Sequence, residues 1–186
     1  MSKNKIAVIG YGYWGKNHTR VLNELGCLSG VYDPLISNDT DIKFFQNIDD
    51  LVSNSTAAII STPATTHFEI AKSLLSDLDL LIEKPMAMSV KECKELESLS
   101  MSNNKIIMVG HQLHFHPAIQ EIKNIIKKGI LGNTKYIYSN RLNMGKIRSQ
   151  ENVLWSFAPH DISLILEIVN SDYYLVYLRF HLLLMH

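Results

Sequence analysis

Residues 5–15 read KIAVIGYGYWG, and this stretch limits the possible folds more tightly than any other. An apolar run, Ile6-Ala7-Val8-Ile9, enters a turn carrying Gly10, Gly12 and Gly15. In a strand–turn–helix of this kind the three glycines have separate tasks. The first permits the tight turn out of the strand, and the second lets backbone amides approach a pyrophosphate. The third lets the next helix pack on the sheet with its N-terminal dipole facing the anion. The G-x-G-x-x-G spacing alone is weak, so its context decides. Residues 14–25 read as a helix, and residues 28–32 as a second strand ending at Asp33. That is about 20 residues further on, where a ribose-binding carboxylate is needed. A ligand-free glycine turn is the alternative, and the context favours a dinucleotide site.

The first 110 residues alternate short apolar runs with amphipathic segments. Strands are expected at residues 5–9, 28–32, 57–60, 78–82 and 106–109, with a weak one at 43–44. Helices are expected at 14–25, 67–75 and 90–101, with a short turn at 49–52. Strands this uniformly apolar are buried on both faces. The alternation predicts an α/β fold, a Rossmann-type doubly wound parallel sheet with right-handed crossovers. With 46% hydrophobic residues among 186, the chain has room for that domain and part of another.

The pattern changes near Pro117. Residues 118–128 read as an amphipathic helix with Gly129 as its C-cap. Residues 134–143 read as a strand with Tyr136 and Tyr138 on one face, and residues 159–169 as a helix. We expect domains at 1–117 and 118–186, the second being the start of an α+β domain. The tail, DYYLVYLRFHLLLMH, has no cap and no evident partner for its apolar surface. We expect a C-terminally truncated chain with residues 171–186 out of their native register. A genuine terminal strand or helix docking on the first domain is the alternative.

Eighteen Lys+Arg balance eighteen Asp+Glu, so no net field favours nucleic acid or an anionic membrane. No apolar run approaches the roughly 18 residues of a membrane span. The N-terminus has no signal-peptide core, and Cys27 and Cys93 make no disulfide framework. A cytoplasmic location is expected.

Two further loops carry chemistry. Ser61-Thr62-Pro63-Ala64-Thr65-Thr66-His67 follows the third main strand, at the sheet edge where ligands of doubly wound folds bind. Its hydroxyls and amides suit a ribose or diphosphate, or simply a helix cap. Glu83-Lys84-Pro85 closes the strand after it. The proline fixes its own φ and restricts Lys84. A lysine ammonium normally titrates at about 10.4, so a lysine base needs burial or nearby positive charge, which an oxidised nicotinamide supplies. A surface ion pair at a strand end is the alternative.

Taken together, VIGYGYWGKNH, Asp33, STPATTH, EKP and WSFAPHD resemble the glucose–fructose oxidoreductase/inositol dehydrogenase/MocA family over residues 3–170. Within it the chain is similar to bacterial dehydrogenases of nucleotide-linked sugars. The resemblance implies a Rossmann domain followed by a domain built on an open antiparallel sheet, and homo-oligomers for full-length members. It implies NAD as cofactor and a nucleotide-sugar substrate. It places Gly10, Gly12, Tyr13, Trp14, Gly15, Asp33, Thr62, Pro63, His67, Glu83 and Lys84 at cofactor positions. Lys84 falls at the catalytic lysine and His160 at the histidine that assists proton removal. Many members carry an aspartate four residues before that histidine, where this chain has Ser156.

Asp33 followed by Pro34 favours NAD over NADP, because a carboxylate repels a 2′-phosphate. His111, His114 and His116 admit a metal reading, yet they lack a nearby carboxylate or cysteine in sequence, and no metal is expected. His114 is expected instead to line the sugar pocket. Arg141, Asn143 and Arg148 are expected to contact a diphosphate or uronate, a solvated loop being the alternative. The expected reaction is hydride transfer from a sugar carbinol carbon, C3, to NAD. An inactive nucleotide-binding remnant and a non-catalytic NAD(H)-sensing module are the rival functions.

Overall fold

The computed structural model describes residues 4–36, 41–133, 135–140 and 153–169. Arg141, Asn143, Arg148 and residues 171–186 lie outside them. Two compact units divide the chain, Met1–His111 and Gln112–His186.

The first unit alternates β1 (Ile6–Ile9), α1 (Tyr13–Glu24), β2 (Leu28–Tyr32), α2 (Ile48–Ser53), β3 (Ala57–Ile60), α3 (His67–Leu74), β4 (Asp79–Ile82), α4 (Val90–Asn103) and β5 (Ile107–Val109). The strands form a five-stranded sheet in the order β2-β1-β3-β4-β5, and every pairing is parallel. The chain first builds outward from β1 to β2, then returns to the far side of β1 for β3. Such a reversal of direction creates the crevice in which doubly wound sheets bind ligands. This is the expected Rossmann architecture.

Side-chain alternation separates two apolar layers. Ala7, Ile9, Ala58, Ile60, Leu80 and Ile82 turn to one face, packed with Leu74 of α3, its C-cap Leu75 and Leu96 of α4. Val8, Val31 and Ile59 turn to the other, packed with Leu22 of α1. Each fully buried aliphatic side chain stabilises by about 1.5–3 kcal/mol, so both sheet faces need their helices. The weak strand at 43–44 is a single parallel bridge, Phe44 to Val31. It is held by Val31 N–H to Lys43 O and Phe45 N–H to Val31 O, at 2.9 and 2.8 Å. Ser89 caps α4 by accepting from Glu92 N–H, and Glu92 reaches back to Met88 N–H at 3.0 Å. The two bonds satisfy backbone donors on either side of the N-cap Ser89, a variant of the S-x-x-E capping box in which Glu92 reaches the residue before the cap.

The second unit contains α5 (Pro117–Lys127) and α6 (Val153–Val169). Proline at the first turn and His116 accepting from Ala118 N–H begin α5. Gly129, at φ +70°, follows its end. Two expectations change here. Residues 135–140 form no strand, although Tyr136 and Tyr138 are exposed and Ile137 is half-buried, as the alternation predicts. A strand is a paired structure, and the described residues offer this segment no partner. The last helix starts at Val153, not at Pro159, which lies inside it. An internal proline removes one ladder bond and need not end a helix whose other residues pack. No helix of the described residues is long and apolar enough to cross a membrane.

Candidate functional site

Beyond the strand ends, the sheet's hydrogen bonding continues for one more step. Gly10 N–H donates to Tyr32 O, Ser61 N–H to Ile9 O, Glu83 N–H to Ile60 O and Gly110 N–H to Ile82 O, at 2.8–2.9 Å. This row sets Gly10, Ser61, Glu83 and Gly110 side by side along the carboxyl edge. The glycine turn, the Ser61–Thr62 loop and the Glu83–Lys84–Pro85 corner therefore share one edge of one sheet.

The fold itself demands glycine at two of the three turn positions. Gly10 has φ +89°, and a Cβ there would lie 2.9 Å from Thr62 Cγ2 and from Thr62 N. A Cβ at Gly15 would lie 1.9 Å from the Gly10 carbonyl oxygen. Gly12 differs. Its backbone is ordinary (φ −71°, ψ −164°), and no described atom lies within 4 Å of where its Cβ would be. The protein's own packing leaves that space open. Gly12 is the N-cap of α1, has no side-chain capping bond, and precedes a first turn without acidic residues. The helix end thus offers unshielded amides and a positive dipole to an anion at the place where a methyl group would intrude. These features fit a dinucleotide diphosphate. Beside them, Tyr13 is 78% exposed and Trp14 38%, the rings meeting edge-on at 5.5 Å.

Asp33 lies just past β2. Its Oδ2 accepts from Tyr11 N–H at 2.7 Å and its Oδ1 from Leu35 N–H at 2.8 Å. The carboxylate is thereby fixed against the glycine turn, and each oxygen keeps a lone pair for a ribose hydroxyl.

In the loop after β3, Ser61 Oγ donates to the carbonyls of Ile9 and Gly10, at 3.1 and 2.9 Å. Thr66 Oγ1 lies 2.8 Å from both Thr62 Oγ1 and Pro63 O. His67 is 1% exposed. Its Nδ1 lies 2.8 Å from Pro85 O and its Nε2 2.9 Å from Thr62 O. Both ring nitrogens are therefore turned to the main chain. A neutral ring can donate to only one of the two carbonyls at a time. So engaged, the buried ring joins the Thr62 loop to the Glu83–Lys84–Pro85 corner.

Glu83 is 5% exposed and hydrogen-bonds His18 Nε2 at 2.8 Å. His18 ends the VIGYGYWGKNH stretch, but nothing in the sequence pairs it with Glu83. It sits on α1, 65 residues from Glu83, and no spacing rule links a helix interior to a strand end. The Lys84–Pro85 peptide is cis.

In the second unit, His160 lies half-buried on α6, its carbonyl accepting from Ser163 Oγ at 2.9 Å. Asp161 accepts from Ser139 Oγ at 2.9 Å. His114 and Lys123 both pair with Glu167. The Lys123 ammonium, first by its hydrogen bond, holds the Glu167 carboxyl below its ordinary range. His116 is used as the cap of α5. Among the described residues no three His, Cys, Asp or Glu gather as metal ligands.

Residues 4–111 match the oxidoreductase family with an NAD-binding Rossmann fold, the glucose–fructose oxidoreductase/inositol dehydrogenase/MocA family. The chain belongs to this family, and its cofactor is NAD. Among its relatives is the UDP-N-acetylglucosamine 3-dehydrogenase of Acidithiobacillus ferrooxidans. The two are 27% identical over 176 residues, which span 90% of this chain and 55% of that protein. The 2,7-anhydro-N-acetylneuraminate hydratase of Mediterraneibacter gnavus is 28% identical, over 80% of this chain and 42% of its own. A solved structure of the Acidithiobacillus dehydrogenase superposes with a TM-score of 0.81, covering 92% of this chain and 56% of that one. The chain thus spans about half the length of the relatives it matches.

Proposed function

We propose that this chain is part of an NAD-dependent dehydrogenase acting on a nucleotide-linked sugar, with C3 of the sugar as the oxidised carbon. The observation that carries the reading is the Glu83-Lys84-Pro85 corner, set by the sheet's hydrogen-bond row on the same edge as the glycine turn. A nucleotide-binding module does not need a lysine there. Gly12 and the amides opening α1 would hold the diphosphate, Asp33 a ribose, and Thr62 and Pro63 the neighbouring part of the cofactor. Bound NAD supplies the hydride acceptor. Lys84 would take the proton of the sugar hydroxyl, with His160 assisting and His114, Arg141, Asn143 and Arg148 contributing to the sugar-nucleotide pocket. A 27% identical 3-dehydrogenase supports the choice of substrate and carbon.

The test is NADH formation at 340 nm with UDP-N-acetylglucosamine and other UDP-sugars, with 2,7-anhydro-N-acetylneuraminate included because a hydratase relative is equally similar. Turnover of a UDP-sugar that Lys84→Ala abolishes while NAD binding persists is the expected result. Full activity in Lys84→Ala removes the lysine from the mechanism. A full-length protein that binds NADH and oxidises no sugar replaces the dehydrogenase reading with a binding role. Turnover of the anhydro-sugar alone moves the substrate class.

A further inference from the structure

Glu83 is a buried carboxylate at the most consequential corner of the crevice. Removing a charged group from water is costly without a charge-assisted partner. Its surroundings are built to hold it. Oε1 lies 2.8 Å from His18 Nε2, and Oε2 lies 3.3 Å from the Lys84 amide nitrogen. A Cβ on Gly110 would stand 3.2 Å from Oε2, so the carboxylate rests against a bare backbone. With Glu83 as a carboxylate both its oxygens accept, and His18 Nε2 is then the donor of the 2.8 Å bond. The histidine side chain is 21% exposed and the glutamate side chain 7%, so the pair runs from the rim of the crevice inward. Trp14 and His18 are four residues apart on α1 and so share a helix face, their ring centroids 6.4 Å apart. One face of α1 therefore runs from the anion-facing helix end to the residue that precedes Lys84.

We propose that His18 is a positioning residue that locks the Glu83–Lys84–Pro85 corner to α1, making the dinucleotide site and the lysine one coupled element. The coupling to NAD rests on the dinucleotide reading given above, whereas the tie between α1 and the corner does not.

Two variants separate positioning from general stabilisation. His18→Leu removes the donor at similar volume, and His18→Gln returns an amide donor at similar reach. Two measurements are made on the whole chain: NADH affinity by fluorescence titration, and hydrogen exchange of the Lys84 amide in the ligand-free protein. His18→Leu is expected to weaken NADH binding about 10-fold and to speed Lys84 exchange by about the same factor, the scale of one charge-assisted hydrogen bond. His18→Gln is expected to restore both to within about threefold. If His18→Leu does not fold, Glu83→Gln keeps the shape without the charge and is expected to give the same two losses. A His18→Leu protein with a lower urea midpoint but wild-type NADH affinity and Lys84 exchange overturns the proposal. Wild-type protein that binds no NADH refutes the dinucleotide reading, and the exchange measurement then still decides the tie.

Discussion

Substituting alanine at Gly12 and at Gly15 separates what the fold needs from what the ligand needs. At Gly15 the new methyl would lie 1.9 Å from the Gly10 carbonyl oxygen and 2.8 Å from its carbon. Both are backbone atoms, so neither can swing aside as a side chain would. Relief requires α1 to move about an ångström off β1, at or above the upper end of overpacking costs, about 3 kcal/mol. For a unit of this size that is a fall in Tm of roughly 12 °C. At Gly12 the methyl meets nothing within 4 Å and the backbone is already in an ordinary region. The entropy that alanine removes from the unfolded chain, about 0.4–1 kcal/mol, is offset by its poorer capping. Stability should stay within about 1 kcal/mol of wild type. NADH affinity should nevertheless fall by about 10-fold or more, because the methyl stands between the amides and the diphosphate. Urea denaturation followed by circular dichroism gives the stability, and NADH fluorescence titration gives the binding. Wild-type NADH affinity in Gly12→Ala would refute the reasoning about the open space. Wild-type stability in Gly15→Ala would refute the packing argument.

Asp33→Asn should keep one of the two main-chain contacts, the amide oxygen accepting from Leu35 N–H as Oδ1 does at 2.8 Å; its amide nitrogen cannot accept from Tyr11 N–H, and the charge that repels a 2′-phosphate is removed. The ratio of NADPH to NADH affinity is expected to rise about 10-fold in parallel titrations, and an unchanged ratio would exonerate the carboxylate. His67→Phe should remove the one ring N–H that the Thr62 and Pro85 carbonyls compete for, at a cost of about 1–3 kcal/mol. A shift in the urea midpoint worth less than about 0.5 kcal/mol would show that main-chain rearrangement or water takes over both contacts.

The sheet was legible because strands buried on both faces cannot hide their character. Ile6-Ala7-Val8-Ile9 and Ala57-Ala58-Ile59-Ile60 each supply both apolar layers, so their boundaries follow from the run itself. The glycine turn was legible for a different reason: its constraints act within a few residues of one another. What stayed hidden was non-local. His18 meets Glu83 only because α1 folds back over the sheet, and nothing near either residue announces the other. The burial of His67 is likewise non-local, because it depends on how its loop closes over Pro85. α6 runs through Pro159, with Ala158 before it and Leu164 after it both buried. At residues 135–140 an alternating pattern stated a preference that only a neighbouring strand could realise.

The interlocking of the first and third loops also governs how this crevice can be altered. Gly10 lies against Thr62 at a distance that admits no added carbon, and Ser61 is hydrogen-bonded to the carbonyls of Ile9 and Gly10. Changes at position 10 and at positions 61–62 are therefore viable only as a matched set. Asp33 reaches the same turn through a side-chain oxygen and the Tyr11 amide. The segment after β2 is accordingly tied to the diphosphate cradle, so a change of cofactor preference there must also supply an acceptor for the Tyr11 amide.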